Sequence, residues 1–79
     1  MLNYKRVIAH KPNVSVLFEL DDGRFALVGL KGPARVSISE YSETFTKFGG
    51  FESGNPSESD LTAASKRLNT GKVFEEERF

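Results

Sequence analysis

The residues best suited to acid–base or metal chemistry in this chain are one histidine and a cluster of carboxylates. His10 is the single histidine of the sequence and lies beside Lys11 and Pro12, with no nucleophile at a recognisable spacing. A zinc site needs several histidine, cysteine or carboxylate ligands, and the chain contains no cysteine. We therefore predict a structural role for His10, no catalytic residue and no metal site.

The carboxylates of Glu19, Asp21 and Asp22 lie close together in sequence and could bind a cation or exchange protons. Their spacing does not match a calcium-binding loop, and Asp22-Gly23 is the pair that a tight turn requires. The glycines of residues 29–32 and 49–50 lack the spacing of a phosphate-binding loop. The sequence therefore predicts turns at these positions and no cofactor.

Aromatic side chains offer a different chemistry, the binding of a partner. Tyr41, Phe45, Phe48 and Phe51 crowd one segment that also carries Lys47 and two glycines. These rings could complete a small core, anchor a protein interface or stack on unpaired bases. The sequence leaves these three roles open.

The last residues favour the nucleic-acid role. The run Val73-Phe74-Glu75-Glu76-Glu77-Arg78-Phe79 resembles the acidic tail, ending in phenylalanine, of bacterial and phage single-stranded-DNA-binding proteins, although Arg78 interrupts the acids. The resemblance implies a tail that recruits partner proteins and competes with nucleic acid for the binding groove. The residues that could then contact a single strand are Tyr4, Arg6, Lys11, Arg24, Lys31 and Arg35.

Length and charge limit what these residues can build. The 79 residues predict one small domain over residues 1–74, followed by a flexible acidic tail over residues 75–79. The 11 basic and 11 acidic residues cancel, so no long-range field draws the chain to a polyanion. No apolar run is long enough to cross a bilayer, and the N-terminal residues lack the apolar region of a secretory signal. We expect a cytoplasmic protein with no membrane contact.

The elements that position these residues begin with a β-hairpin over residues 14–30. Apolar residues alternate on both sides of Asp22-Gly23, which is typical of two antiparallel strands joined by a tight turn. A two-residue turn there predicts that Leu20 faces Phe25. A register shifted by one residue would bring Arg24 to that face instead, and burial favours the first register. The predicted buried face carries Val14, Val16, Phe18, Leu20, Phe25 and Leu27.

Further strands flank this hairpin. Residues 2–10 predict a first strand, and residues 35–40 predict another, with Val36 and Ile38 inward, that could continue through residues 41–48. Residues 72–74 could add a short edge strand.

One helix is predicted over residues 56–69. Either Asn55 or Ser57 could cap its N-terminus, and Gly71 could end it with a positive φ. Its apolar stripe is narrow, so the helix must dock on the sheet to be stable. The stripe consists of Leu61, Ala64 and Leu68.

The fold class predicted is α+β, with a three- to four-stranded antiparallel meander that could curl toward a small barrel at Gly29. The expected function is a non-catalytic protein-interaction module, a small accessory or inhibitory protein of phage or plasmid type, with a homodimer as one form of partner. The alternative is a small single-stranded nucleic-acid-binding protein. The second face of the hairpin is too apolar to be wholly exposed, so a helix, another strand or a partner must cover part of it. For the protein-interaction function we expect this face and the aromatic segment to contact the partner. The predicted contacts are Leu17, Val28, Leu30, Phe45, Phe48 and Phe51.

Overall fold

The computed structural model describes residues 2–47 and 49–75, over which the chain forms a five-stranded sheet and two helices. The elements are β1 (Tyr4–Lys11), β2 (Ser15–Leu20), β3 (Phe25–Gly29), β4 (Arg35–Ser39), α1 (Glu43–Thr46), α2 (Glu58–Thr70) and β5 (Lys72–Glu75). The strands lie in sequence order, the first four antiparallel and β5 parallel to β4. The α+β class is confirmed, but the sheet has more strands than predicted and is not a closed barrel.

The β2–β3 hairpin is present, but its register differs by one residue from the predicted register. Phe18 pairs with Ala26, and Glu19 pairs with Phe25. Because side chains alternate along a strand, the rings of Phe18 and Phe25 point to opposite faces of the sheet. The prediction that these two rings are buried together is therefore wrong. Ala26 and Val28 take the places assigned to Phe25 and Leu27.

A three-residue loop causes this shift. The amide of Leu20 donates to the carbonyl of Arg24 at 2.7 Å, and the amide of Gly23 donates to the carbonyl of Leu20 at 3.0 Å. Gly23 has φ 90°, as expected for a type I turn followed by a left-handed residue. Arg24 tolerates its place opposite Leu20 because its guanidinium forms ion pairs with Asp22 and Glu75.

One face of the sheet, which we call the helix face, is covered by α2. Ala64 and Leu68 of α2 are buried against it, and Leu61 packs at its margin, so the predicted stripe is confirmed. The buried residues of this core are Val16, Phe18, Leu20, Ala26, Val28, Val36, Ile38, Ala64 and Leu68.

The ends of α2 show why it begins and stops where it does. Ser57 is the N-cap, and its hydroxyl accepts a hydrogen bond from the amide of Asp60 at 3.3 Å. Gly71 has φ −77°, so the predicted positive φ is wrong. A Cβ at Gly71 would lie 2.7 Å from the Arg67 carbonyl oxygen and 3.1 Å from Val36 Cγ2. Glycine is needed there because the chain passes close to its neighbours as it enters β5.

The segment after β4 is not the strand extension that we predicted. Residues 43–46 form the single turn α1, and the chain then returns toward β1. Glu52 exchanges two backbone hydrogen bonds with His10, at 3.0 and 2.7 Å, and His10 Nδ1 donates to the Gly54 carbonyl at 3.1 Å. The buried His10 thus fastens residues 52–54 to the edge of the sheet, which is a structural role.

The predicted C-terminal tail falls mostly outside the described residues. Glu75 belongs to β5, where it lies beside Ile38 and accepts a hydrogen bond from Arg24. The sheet therefore includes the first residue that we assigned to the tail. Residues 76–79 are not among those described.

Candidate binding groove

The face of the sheet opposite α2 carries an open groove of about 350 Å³, and we call this face the groove face. Strand alternation places side chains of β2, β3 and β4 in its floor, while Phe45 and Phe51 form a wall. This volume is at the lower end of the range for binding sites, enough for a side chain or two rather than a large cofactor. The groove is lined by Lys11, Val14, Ser15, Leu27, Gly29, Arg35, Ser37, Phe45 and Phe51.

Gly29 opens the middle of the groove. Its φ is not positive, and a Cβ added to it would have no atom within 4 Å. Neither backbone conformation nor crowding therefore requires glycine at this position. The carbonyl oxygen of Gly29 accepts a hydrogen bond from Arg67 Nη1 at 3.1 Å, which ties the floor to α2. Because Gly29 has no side chain, it leaves space in the floor of the groove.

The wall depends on a glycine turn. Gly49 and Gly50 have φ 77° and 81°, values that favour glycine, and they turn the chain so that Phe51 faces Lys11. Lys11 Nζ lies 5.0 Å from the centre of the Phe51 ring. A Cβ on Gly50 would lie only 3.0 Å from Lys11 Cε, so the turn also leaves room for the lysine stem.

Lys11 and Arg35, the two cations of the groove, contact aromatic rings rather than carboxylates. Lys11 lies over Phe51, and Arg35 Cζ lies 4.3 Å from the centre of the Phe74 ring. A ring face attracts a cation through its quadrupole but carries no net charge to neutralise it. Among the described residues, no carboxylate lines the groove and neither cation forms an ion pair. The groove therefore combines apolar surface from Val14, Leu27 and the two phenylalanine rings with two cations that no described carboxylate neutralises.

The other basic residues of the predicted nucleic-acid set do not join this pair. Arg6 forms an ion pair with Glu19 at 2.8 Å, and Arg24 forms ion pairs with Asp22 at 2.8 Å and Glu75 at 3.1 Å. Hydrogen bonds from the Arg24 side chain and backbone lower the pKa of the Asp22 carboxyl below its usual value. These contacts offset the charges of Arg6 and Arg24.

The remaining members of that set are also dispersed. The ring of Tyr4 lies 4.4 Å from the ring of Phe18, centre to centre, and Lys31 is exposed in the loop between β3 and β4. Of the predicted set, Lys11 and Arg35 line the groove and the other four residues do not, so the six residues do not form one basic surface.

The predicted protein-contact residues divide between the two faces. Leu17 and Val28 are 0% exposed and present no open surface, whereas Leu30 is partly buried and packs against the core of the helix face. The register shift explains part of this result, since it moved Val28 and Leu30 to the helix face. Phe45 and Phe51 line the groove. Phe48 lies outside the described residues.

Sequence reasoning missed several residues of the groove. Val14 was assigned to the buried face of the hairpin, but it is 49% exposed at the groove. Leu27 was assigned to the core, and Gly29 was noted only as a bend. The sequence offered one signal for the groove. Gly29 ends an apolar strand, and no turn beside it requires a glycine.

The described residues show neither a metal-binding cluster nor a membrane-spanning helix. The described residues contain no group of three or more histidine, cysteine, aspartate or glutamate side chains able to hold a metal ion. In residues 2–47 and 49–75, no helix is both long and apolar enough to cross a membrane. Comparisons with protein-family models, curated proteins and solved structures gave no match. The function must therefore be inferred from the groove itself.

Proposed function

We propose that this chain is a non-catalytic protein-interaction module that receives its partner in the groove, as an accessory or inhibitory protein of phage or plasmid type would. The observation that carries the proposal is a groove on the sheet that has apolar and aromatic surface from Val14, Leu27, Phe45 and Phe51 and is left open by Gly29. Concave sites that combine a few polar groups with apolar and aromatic walls are typical of binding sites. Buried aromatic anchors of a partner commonly fill such sites.

The burial and contacts of three phenylalanine rings at and beside the groove favour a protein partner over a single-stranded nucleic acid there. Base stacking requires an open aromatic face. Lys11 covers a face of Phe51, Arg35 covers a face of Phe74, and Phe45 is only 6% exposed. The ion pairs of Arg6 and Arg24 also remove two cations that phosphates would need. A nucleic-acid function is therefore the weaker alternative.

Affinity capture with a variant that fills the groove tests the proposal. In Gly29→Val the new side chain starts from a Cβ with no atom within 4 Å, so it should occupy the groove without unfolding the sheet. The matched control is Ala63→Val, which adds apolar surface at an exposed position of α2. Each tagged protein is incubated with host lysate, and bound proteins are identified by mass spectrometry.

We expect the wild type and Ala63→Val to retain the same partner, and Gly29→Val to lose it by at least tenfold in bound amount. Circular dichroism and a thermal melt must show that both variants are folded. A partner that binds Gly29→Val as well as the wild type would contradict binding in the groove. If the captured partner is a second copy of this chain, sedimentation should show a dimer that Gly29→Val dissociates.

A further inference from the structure

We infer that the groove binds a partner segment in which an apolar or aromatic side chain lies between two carboxylates. This inference rests on the proposed function and adds the chemistry of the occupant. The apolar member follows from the floor and wall, where Val14, Leu27 and Phe45 offer no charged group. Only an apolar side chain gains free energy by displacing water from such a surface.

The two carboxylates follow from a row of residues that crosses the sheet. Lys11 pairs with Ser15, and Ser15 pairs with Gly29. The register then places Gly29, one residue beyond the Val28–Val36 pair, beside Arg35. The row therefore has a cation at each end, with a hydroxyl and an empty glycine position between them.

The same row continues to the edge of the sheet. Arg35 pairs with Lys72, whose Nζ lies 5.4 Å from the centre of the Phe74 ring. Among the described residues, this row of five strand positions carries three cations and no carboxylate. Charge complementarity thus selects an acidic segment even though the whole chain has no net charge.

The spacing of the row sets the spacing of the carboxylates. Neighbouring strands lie about 4.8 Å apart, and Lys11 and Arg35 are three strands apart, so their backbones are separated by roughly 14 Å. An extended peptide advances about 3.3 Å per residue, so roughly four residues cover this distance. We therefore expect acidic residues about four positions apart, with the anchor side chain between them above Gly29.

Selection from a random library tests this inference without knowledge of the natural partner. A library of random dodecapeptides displayed on phage is selected on the full-length wild-type chain and counter-selected on Gly29→Val. We expect the enriched peptides to share an aromatic or aliphatic residue between aspartates or glutamates at the stated spacing. Enriched peptides that are neutral or basic would overturn the inference, and so would a failure to enrich any peptide over the counter-selection.

Affinity measurements on the best peptide then test the two cations. Lys11→Gln and Arg35→Gln should each weaken binding about two- to fivefold, as measured by fluorescence anisotropy. Replacement of the peptide's acidic residues by their amides should cause a similar loss. Lys5→Gln is the matched control because Lys5 is an exposed lysine elsewhere on β1, and it should leave the affinity unchanged. Equal affinity in all three variants would contradict the assigned role of the cations.

The outcomes separate this inference from the proposed function. If a captured partner requires an open position at Gly29 but not Lys11 or Arg35, the groove is the interface and its acidic specificity is wrong. If capture survives Gly29→Val, the proposed function itself is wrong. An oligothymidine that displaces the selected peptide more strongly than an unlabelled copy of the peptide would assign the groove to nucleic acid instead.

Discussion

The two faces of the sheet are built from the same strands but are packed in different ways. The helix face presents an unbroken apolar surface, and α2 covers it so fully that Val16, Phe18 and Val28 are 0% exposed. On the groove face, Ser15, Gly29 and Ser37 take positions between larger side chains, and α1 and residues 49–54 supply Phe45 and Phe51 as the wall. Small and hydroxyl-bearing side chains in place of large apolar ones leave open space.

This difference assigns separate tasks to the two faces. Close packing on the helix face supplies most of the apolar burial that stabilises so small a domain. Leu17, although also fully buried, belongs to the groove face, so that face contributes to stability near its centre and leaves its margin for binding. Substitutions of the same type should therefore have different effects on the two faces.

The largest difference in the loss of unfolding free energy is expected between alanine substitutions of two phenylalanines, one on each face. Phe18→Ala removes a fully buried ring that also contacts Tyr4, and it should lower the free energy of unfolding by about 4 kcal/mol. Phe45→Ala removes a ring that borders the open groove, where water can enter, and should cost about 2 kcal/mol. Urea denaturation followed by circular dichroism measures both. A larger loss for Phe45→Ala would show that the groove face carries the main core.

Two glycines give a second, smaller contrast. Gly71→Ala places a methyl group 2.7 Å from the Arg67 carbonyl oxygen and should destabilise the fold by about 2 kcal/mol through overpacking. Gly29→Ala meets nothing within 4 Å and should stabilise it by about 0.5 kcal/mol, because alanine restricts the unfolded chain. Thermal melts of both variants measure the contrast. Destabilisation by Gly29→Ala would mean that its backbone requires glycine after all.

The smallest effect on stability is expected from the ion pairs of Arg24, which join the hairpin loop to β5. The pKa of Asp22 is lowered in the folded state, so its ionised form stabilises the fold above the unfolded pKa. This contribution is lost as the pH falls below about 4 and through the folded pKa. Asp22→Asn should therefore flatten the decline of stability in acid, measured as urea midpoints from pH 7 to pH 3. Glu40→Gln is the control because Glu40 is exposed and forms no ion pair among the described residues, and an equal flattening there would contradict the role of Asp22.

Local signals in the sequence were enough to predict the hairpin and α2. Alternating residues around Asp22-Gly23 indicated two strands, and the capping residue Ser57 with its apolar stripe indicated the helix. They were not enough to fix the register, because Asp21-Asp22-Gly23 fits a loop of two or three residues equally well. Of the two ion pairs that make Arg24 acceptable opposite Leu20, one is with the nearby Asp22 and the other is with Glu75, which is 51 residues away in sequence.

The groove was harder to predict because its residues come from distant segments. Lys11 and Arg35 were assigned to a nucleic-acid surface, whereas Phe45 and Phe51 were assigned to a protein interface. Pairing across four strands brings them together, and no local pattern encodes that pairing. The threonines and rings of residues 41–48 were compatible with a continued strand, yet residues 43–46 form a helical turn in which Phe45 is buried.

The parallel pairing of β5 has a consequence for how the chain folds. The chain between β4 and β5 contains α1, a loop and α2, so Lys72–Glu75 can pair with β4 only after this long connection has folded back. The antiparallel strands, by contrast, pair through short connections. Contacts between residues far apart in sequence form slowly. During that interval β4 would expose an unpaired edge next to Val36 and Ile38, and such edges promote aggregation. The yield of refolding should therefore fall as the protein concentration rises, and most steeply in variants that delay docking of the last strand.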